Sequence, residues 1–326
     1  MKIAFYGTKP YDRLWFEPLS KEYGHEILFI DGLLTMDTVS LANGCGAVCV
    51  FVNDKVDKEL IDTLYQMNVQ GILLRSAGFN HVDIKAAKDK LTILRVPSYS
   101  PEAVAEFGAA LLLTINRQTH RAYARTRDFN MTINGLMGTD LHGKTAGIIG
   151  TGKIGRAMIQ ILKGFGMNIL AYDLYPDHGL DVEYTDLDYL IANSDCISLH
   201  CPLTDGTYHL INNKTISMMK KGIYLINTSR GALIDSSALL ESLRSTDIFA
   251  GVALDVYEEE DGVFYEDYSN RVILDDTLAR LTTFPNVLIT SHQGFFTKEA
   301  LKAIAETTLF NATCLEKKQE FVNEVL

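Results

Sequence analysis

The stretch Gly147-Ile148-Ile149-Gly150-Thr151-Gly152-Lys153-Ile154-Gly155 decides how this part of the chain can fold. An apolar run that begins at Thr145 leads into its G-x-G-x-x-G pattern. After the pattern, apolar residues recur at intervals of three and four, as on one face of a helix: Ile154, Ala157, Met158, Ile161 and Leu162. The glycines alone are a weak signal in a chain with 24 of them, but a strand before and a helix after are the context that the motif requires.

This strand–turn–helix unit predicts a dinucleotide site. Gly150 permits the tight turn, Gly152 lets the backbone approach a pyrophosphate, and Gly155 lets the helix and the strand pack closely. Lys153 and Ile154 open the helix, whose N–H groups and partial positive charge face the phosphates. We expect these five residues to bind the cofactor.

Asp173 indicates which dinucleotide this is. It ends the next apolar run, at residues 168–172. A carboxylate at that position accepts hydrogen bonds from the adenosine ribose hydroxyls and repels a 2′-phosphate, which favours NAD over NADP. The alternative, a cluster of turn glycines and a surface aspartate in an unrelated α/β domain, stays open at this point.

Size and composition exclude some classes of partner. A chain of 326 residues exceeds the usual size of one hydrophobic core, which predicts two domains. The net charge of −11 argues against nucleic acid and anionic membranes, although not against an anionic small substrate. Because no apolar run is long enough to cross a bilayer and the first residues lack a signal-peptide core, we expect a cytoplasmic protein without a membrane partner. The five scattered cysteines are typical of reduced core thiols, and no metal site is predicted.

Short apolar segments alternate with helical patterns along the chain, which predicts an α/β fold with parallel, doubly wound sheets. A long helix opens at Ser100 and extends to about Arg121, and a last helix covers 297–316. Periodicity alone leaves open whether the two series form consecutive domains or the last helix returns to the first domain. The predicted strands of the first series are 2–6, 26–30, 47–51, 71–74 and 92–96, and those of the second are 145–149, 168–172, 196–200, 224–227, 249–254 and 287–290.

Three segments follow predicted strands of the second series, at the edge where such sheets bind ligands: 227–231, 255–260 and 291–295. They contain Arg230, an acidic run at 258–260, and His292. Reduction of a 2-keto acid needs a cation that binds a carboxylate bidentately, a general acid near neutral pH, and a carboxylate that orients this acid. Alone, each residue is as well explained by a strand-end ion pair, a structural histidine or a solvated acidic loop.

These segments and the glycine motif together resemble the D-isomer-specific 2-hydroxyacid dehydrogenase family, and within it the fermentative D-lactate branch of bacteria. The resemblance covers nearly the whole chain, and an Asp-Val-aromatic-x-x-Glu pattern begins at Asp255. One departure is Phe107, where the family usually has histidine after Ala-Glu. Further matching segments are Arg75-Ser76-Ala77-Gly78-Phe79-Asn80, Val96-Pro97-Ser98-Tyr99, His200-Cys201-Pro202-Leu203-Thr204 and residues 262–276.

The resemblance implies a role for each matching position. Arg230 would bind the substrate carboxylate and carbonyl, His292 would be the acid/base, and Glu260 would pair with it, subject to a register error of one in the acidic run. The backbone N–H groups of Ala77 and Gly78 would bind the carboxylate. Tyr99 and Phe295 would line the substrate pocket, and Pro202, Thr228 and Asp255 would contact the cofactor, Asp255 near the nicotinamide amide. The aromatic residues of 264–268 are expected to pack rather than to react.

The resemblance also implies a domain arrangement and an activity. A Rossmann NAD-binding domain, 101–298, would be inserted into a flavodoxin-like substrate-binding domain, 1–100 with 299–326. The expected reaction is NAD-dependent interconversion of pyruvate and D-lactate by a homo-oligomer, a dimer or a tetramer. A related enzyme for a bulkier 2-keto acid, or an NAD-sensing protein similar to corepressors of this fold, are the alternatives.

Overall fold

The computed structural model describes residues 1–325; Leu326, the last residue of the predicted substrate-binding domain, lies outside the described residues. The strands are β1 (Lys2–Phe5), β2 (Glu26–Phe29), β3 (Ala47–Val50), β4 (Gly71–Leu74), β5 (Thr92–Leu94), β6 (Thr145–Ile149), β7 (Asn168–Tyr172), β8 (Glu183–Tyr184), β9 (Cys196–Leu199), β10 (Ile223–Asn227), β11 (Phe249–Leu254) and β12 (Val287–Ile289).

The helices account for most of the remaining regular structure. They are α1 (Pro10–Tyr23), α2 (Lys58–Gln66), α3 (Ile84–Ala87), α4 (Pro101–Arg117), α5 (Thr119–Arg127), α6 (Lys153–Gly164), α7 (Leu187–Asn193), α8 (Asn213–Met218), α9 (Ser236–Ser245), α10 (Asp276–Leu281) and α11 (Lys298–Lys317). No helix among residues 1–325 is both long enough and apolar enough to span a membrane.

The chain divides into two compact units, Met1–Ser100 with Phe296–Leu326, and Pro101–Phe295. The chain therefore re-enters the first unit at Phe296, whereas the predicted boundary was residue 299. The predicted fold class is confirmed, because both units contain a parallel sheet with helical connections.

In the first unit the strand order is β2-β1-β3-β4-β5, the flavodoxin-like order, with all neighbours parallel. The C-terminal residues belong to this unit for two reasons. Helix α11 packs on α1 and β4. Beyond it, Glu324 pairs antiparallel with Leu94, and the Val325 N–H donates to the Ile93 carbonyl at 2.9 Å.

In the second unit the strand order is β12-β11-β10-β9-β6-β7-β8, again all parallel. Counted from β6, this is the Rossmann order with a seventh strand. Successive residues of β6 face opposite sides of the sheet, so Ile148 and Ile149 enter two separate apolar layers. All six predicted strands are present; the two-residue β8 was not predicted.

The long helix predicted from Ser100 to Arg121 is wrong in one respect. Gln118 has a φ of 54°, in the left-handed region, and this residue separates α4 from α5. Helix α4 packs on α6, β10 and β11 within its own unit. Helix α5 has no buried residue.

Gly71→Ala tests how closely Thr92 of β5 and Leu315 of α11 pack against β4. A Cβ at Gly71 would lie 2.6 Å from the Thr92 carbonyl oxygen and 2.9 Å from Leu315 Cδ2. We expect the free energy of unfolding in urea to fall by about 1–3 kcal/mol, the usual cost of overpacking. Gly164→Ala is the matched control, because a Cβ there meets nothing within 4 Å and it lies in α6. Equal effects of the two substitutions would contradict this packing.

Candidate active site

The glycine turn between β6 and α6 brings backbone groups very close together. Gly150 has a φ of 95°, and a Cβ there would lie 2.6 Å from the Cys201 nitrogen. A Cβ at Gly155 would lie 2.0 Å from the Gly150 carbonyl oxygen. Only glycine fits at either position.

The start of α6 fits a dinucleotide pyrophosphate. Gly152 is the N-cap residue, and no side-chain hydrogen bond caps this helix. A Cβ at Gly152 would meet nothing within 4 Å, so the space in front of the first turn is open. The first-turn N–H groups, which include those of Lys153 and Ile154, are what an anion binds at a helix N-terminus.

Asp173 is tied to the same turn. Its Oδ2 accepts hydrogen bonds from the Thr151 backbone at 2.6 Å and the Thr151 hydroxyl at 3.0 Å, and its Oδ1 accepts from the Tyr175 N–H at 2.9 Å. Burial raises the pKa of Asp173, but these hydrogen bonds and Arg156 outweigh burial and lower it below its ordinary value. A carboxylate can accept about four hydrogen bonds, so capacity remains for a ribose hydroxyl.

Thr151 holds the Asp173 carboxylate at the glycine turn, a contact that the motif pattern did not reveal. It occupies an x position of G-x-G-x-x-G, which the pattern leaves unspecified. Its hydroxyl also accepts a hydrogen bond from the Tyr184 hydroxyl at 2.9 Å, and its carbonyl accepts one from Arg156 Nε at 2.9 Å. Thr151 therefore links the glycine turn to β7 and β8.

Arg230 lies in a tight turn directly after β10. The Asn227 side chain closes this turn, since its Nδ2 donates to the Arg230 carbonyl at 2.8 Å and its Oδ1 accepts from the Ser229 N–H at 3.0 Å. The guanidinium is half-buried and donates through Nη1 to the Ser229 carbonyl at 2.6 Å. A Cβ at Gly231 would lie 2.0 Å from the carbonyl carbon of Tyr257, so the turn after Arg230 touches the segment that leads to Glu260.

Asp255 follows β11 directly, is buried, and contacts the turn 290–294. Its side chain accepts hydrogen bonds from the Thr290 hydroxyl at 2.6 Å, the Gln293 N–H at 2.8 Å and the Gly294 N–H at 2.7 Å. Its carbonyl accepts from the His292 N–H at 2.7 Å. Family resemblance implied only a cofactor contact for Asp255; the structure places its carboxylate under the turn that carries His292.

His292 and Glu260 lie in direct contact. His292 Nδ1 is 2.7 Å from Glu260 Oε1, and Glu260 Oε2 accepts from the Tyr257 N–H at 3.0 Å. Of the other acids in the run, Glu259 is exposed, while Glu258 contacts His209 and accepts from the Ser236 N–H. The geometry thus brings Glu260, and not its neighbours, to His292. An imidazole whose Nδ1 is engaged by a carboxylate presents Nε2 for chemistry.

Three further predicted site residues lie in the same unit, together with Phe107, the departure from the family pattern. Thr228 is buried, and its hydroxyl has no hydrogen-bond partner in the described part of the chain, which fits a bound ligand. Pro202 is exposed and Phe295 is buried. Phe107, on α4, packs beside Gly294, with its Cδ1 3.5 Å from the position of a Cβ there. The departure from the family pattern therefore lies next to the His292 turn.

Ala77, Gly78 and Tyr99 lie in the first unit. Arg95, which sequence reasoning missed, donates through Nη1 to the Ala77 carbonyl at 3.0 Å, and the Ser76 hydroxyl donates to the Gly78 carbonyl at 2.8 Å. Because a trans peptide is planar, fixing the Ala77 carbonyl directs the Gly78 N–H to the opposite side. Arg95 is 18 positions from Ala77, so local pattern could not indicate this contact.

Comparison with known proteins assigns the chain to a family. The model of the D-isomer specific 2-hydroxyacid dehydrogenase NAD binding domain matches residues 109–294. The chain belongs to this family. A D-lactate dehydrogenase of Escherichia coli is 51% identical over the full length of both chains.

Solved structures of relatives have the same fold over the same length. The apo-structure of D-lactate dehydrogenase from Escherichia coli has a TM-score of 0.91 at 48% identity and covers 100% of both chains. An NAD-complexed D-isomer specific 2-hydroxyacid dehydrogenase from Lactobacillus delbrueckii ssp. bulgaricus has a TM-score of 0.84 at 30% identity, again with 100% of both chains covered. Together with the NAD-binding family model, these relatives support the predicted use of NAD.

Asp255→Asn tests the buried carboxylate. Asparagine replaces one carboxylate oxygen with an NH₂ group, which cannot accept the hydrogen bonds that this oxygen accepts. We expect the free energy of unfolding to fall by about 2–3 kcal/mol, because a hydrogen bond to a charged group contributes about 1.5–3 kcal/mol. Asp186→Asn is the control: Asp186 is the N-cap of α7, where its side chain accepts the exposed Tyr189 N–H, and we expect a loss of about 1 kcal/mol or less. Equal losses in urea unfolding would contradict the role of Asp255.

Proposed function

We propose that this protein is an NAD-dependent D-lactate dehydrogenase that interconverts pyruvate and D-lactate. The observation that carries the proposal is the 2.7 Å contact between His292 and Glu260, on a segment that touches the turn of Arg230. These are the three groups that 2-keto acid reduction requires, and they lie at the carboxyl edge of a sheet with a dinucleotide motif. The 51% identity to a D-lactate dehydrogenase over the full length supports the choice of substrate.

Two proposed domain roles follow. The unit Pro101–Phe295 would be the NAD-binding domain, and the unit with Met1–Ser100 the substrate-binding domain. Residues 150–155, Asp173, Pro202, Thr228 and Asp255 would hold the cofactor. When bound, NADH supplies the hydride that reduces C2 of the substrate.

Arg230 would bind the carboxylate of pyruvate and polarise its keto group. A guanidinium suits this task because it stays charged and donates through a planar fork. In the first unit, the N–H groups of Ala77 and Gly78 would bind the substrate carboxylate, with Arg95 holding their peptide in place. Tyr99 would line the substrate pocket, and Phe295 would pack over the substrate methyl.

His292 would donate a proton from Nε2 to the keto oxygen during reduction and accept it back during oxidation. Glu260 would keep the proton on Nδ1, orient the ring and stabilise the imidazolium. A neutral side chain at position 260 would not stabilise the imidazolium, since it carries no negative charge to attract the protonated ring.

We also propose a homo-oligomer assembled through residues 119–137, and a cytoplasmic location. Helix α5 buries no residue, and the segment after it exposes large apolar side chains, among them Phe129 at 87%, Ile133 at 83% and Met137 at 95%. Several exposed large apolar side chains within one short segment are typical of a surface that contacts another protein chain. The five buried, unpaired cysteines are consistent with a reducing compartment.

The activity is tested by NADH absorbance with pyruvate, with bulkier 2-keto acids, and with D- or L-lactate in reverse. We expect pyruvate and D-lactate to give the highest kcat/KM. Arg230→Lys should lower kcat/KM about 10²–10³-fold, the usual loss when a positioned donor to a developing oxyanion is removed. Arg244→Lys, at an exposed arginine of α9, should leave it unchanged. Near-native turnover of Arg230→Lys would contradict the assigned role, and a preference for a bulkier acid would favour the related enzyme.

The assembly is tested by light scattering after size-exclusion chromatography. We expect a mass of two or four chains of 36.3 kDa for the unmodified protein. Ile133→Asp should shift it to the mass of one chain, because burying an unpaired carboxylate in an apolar contact is unfavourable. Leu14→Asp, at a side chain with 73% exposure on α1, is the control and should not dissociate it. Oligomers of Ile133→Asp as stable as the parent would place the contact elsewhere.

A further inference from the structure

Tyr265 contacts the backbone of His292 from the loop between β11 and α10. Its hydroxyl donates a hydrogen bond to the His292 carbonyl at 2.7 Å. Its ring lies beside the imidazole, with an interplanar angle of 29° and a centroid distance of 6.3 Å. The sequence had predicted packing without a functional contact for this residue, and 27 positions separate the two rings along the chain.

Both residues of this contact have unfavourable backbone conformations. His292 has a φ of 51° and Tyr265 a φ of 67°, and a residue with a side chain is disfavoured in this left-handed region by about 1–2 kcal/mol. Such conformations persist only where surrounding interactions hold them. One hydrogen bond therefore joins two strained positions, and each helps to hold the other.

His292 is fixed on both sides of its own backbone. Its N–H donates to the Asp255 carbonyl at 2.7 Å, and its carbonyl accepts from Tyr265. The direction in which the imidazole leaves the backbone depends on this conformation. Glu260 sets the rotation of the ring through Nδ1, but it can do so only if the Cα–Cβ bond already points towards it.

We propose that Tyr265 is a positioning residue for the proton transfer at His292. Its hydroxyl holds the left-handed backbone, and its ring limits the rotation of the imidazole, so that Nδ1 stays on Glu260 and Nε2 stays directed to the substrate. The inference rests on the proposed function of His292 as the acid/base. Tyr265 acts through His292 and has no contact with reacting atoms in this proposal.

The test compares Tyr265→Phe with Tyr268→Phe. Tyr268 lies in the same loop, and its hydroxyl donates to the Gly262 carbonyl at the same distance, 2.7 Å, but it does not contact His292 in the described structure. Each substitution removes one hydroxyl–carbonyl hydrogen bond and keeps the ring. For Tyr265→Phe we expect kcat to fall about tenfold, which corresponds to the loss of about 1.4 kcal/mol. Tyr268→Phe should stay within twofold of the parent.

Two further readouts separate positioning from a general loss of structure. The dissociation constant for NADH, measured by fluorescence, should be similar in the two variants, and both should keep the far-UV circular dichroism spectrum of the parent. The solvent deuterium isotope effect on kcat should rise in Tyr265→Phe alone, because a misplaced imidazole makes proton transfer more rate-limiting. Tyr265→Leu, which also removes the ring, should lower kcat further.

The proposal is overturned if Tyr265→Phe and Tyr268→Phe have the same kcat and the same isotope effect. Crystal structures of the two variants decide the point independently of turnover: the left-handed backbone of His292 or its contact with Glu260 should be lost only in Tyr265→Phe. Retention of both in that variant would also overturn the proposal. A parent protein that reduces no 2-keto acid would contradict the proposed function instead, and the crystal structures would still decide the role of Tyr265.

Discussion

The carboxylate of Asp255 lies buried under the turn 290–294, with 1% of the residue exposed, and the rest of the site depends on this interaction. A buried carboxylate is unfavourable unless it is hydrogen-bonded. Its donors come from the turn that carries His292, so the turn and the buried charge stabilise each other. The Asp255 N–H in turn donates to the Asn227 carbonyl at 2.9 Å, and Asn227 closes the turn of Arg230. The pairing of β10 with β11 thus continues by one hydrogen bond beyond β11, and this bond connects the turn of Arg230 with the turn of His292.

Much of the fold could be predicted because it depends on local patterns. Strands buried on both faces are continuous apolar runs, and β6, β7 and β11 match their predicted bounds. The features that were missed depend on single residues without a strong local signal. The two-residue β8 is too short for any periodicity, and Gln118 breaks the long helix although glutamine is a good helix former.

The candidate site was predictable in residue type and only partly in geometry. Arg230 and His292 follow predicted strands, which is a local property. The choice among three consecutive glutamates is not, because it depends on how the segment after β11 folds over the turn 290–294. The contacts made by Thr151, Arg95 and Tyr265 join positions far apart in sequence, and no period in the sequence reports such contacts.

Phe107 lies beside the turn that the Asp255 carboxylate holds. The family usually has histidine there, a group that can hydrogen-bond; phenylalanine cannot, and it packs against Gly294 instead. A Cβ at Gly294 would lie 3.0 Å from Asp255 Oδ2, so glycine lets the backbone approach the carboxylate while the ring of Phe107 lies on the same side. An apolar cover lowers the local dielectric constant and strengthens the hydrogen bonds beneath it. In this chain the side chain of Asp255 accepts the hydrogen bonds of the turn, and the ring of Phe107 adds an apolar contact beside Gly294.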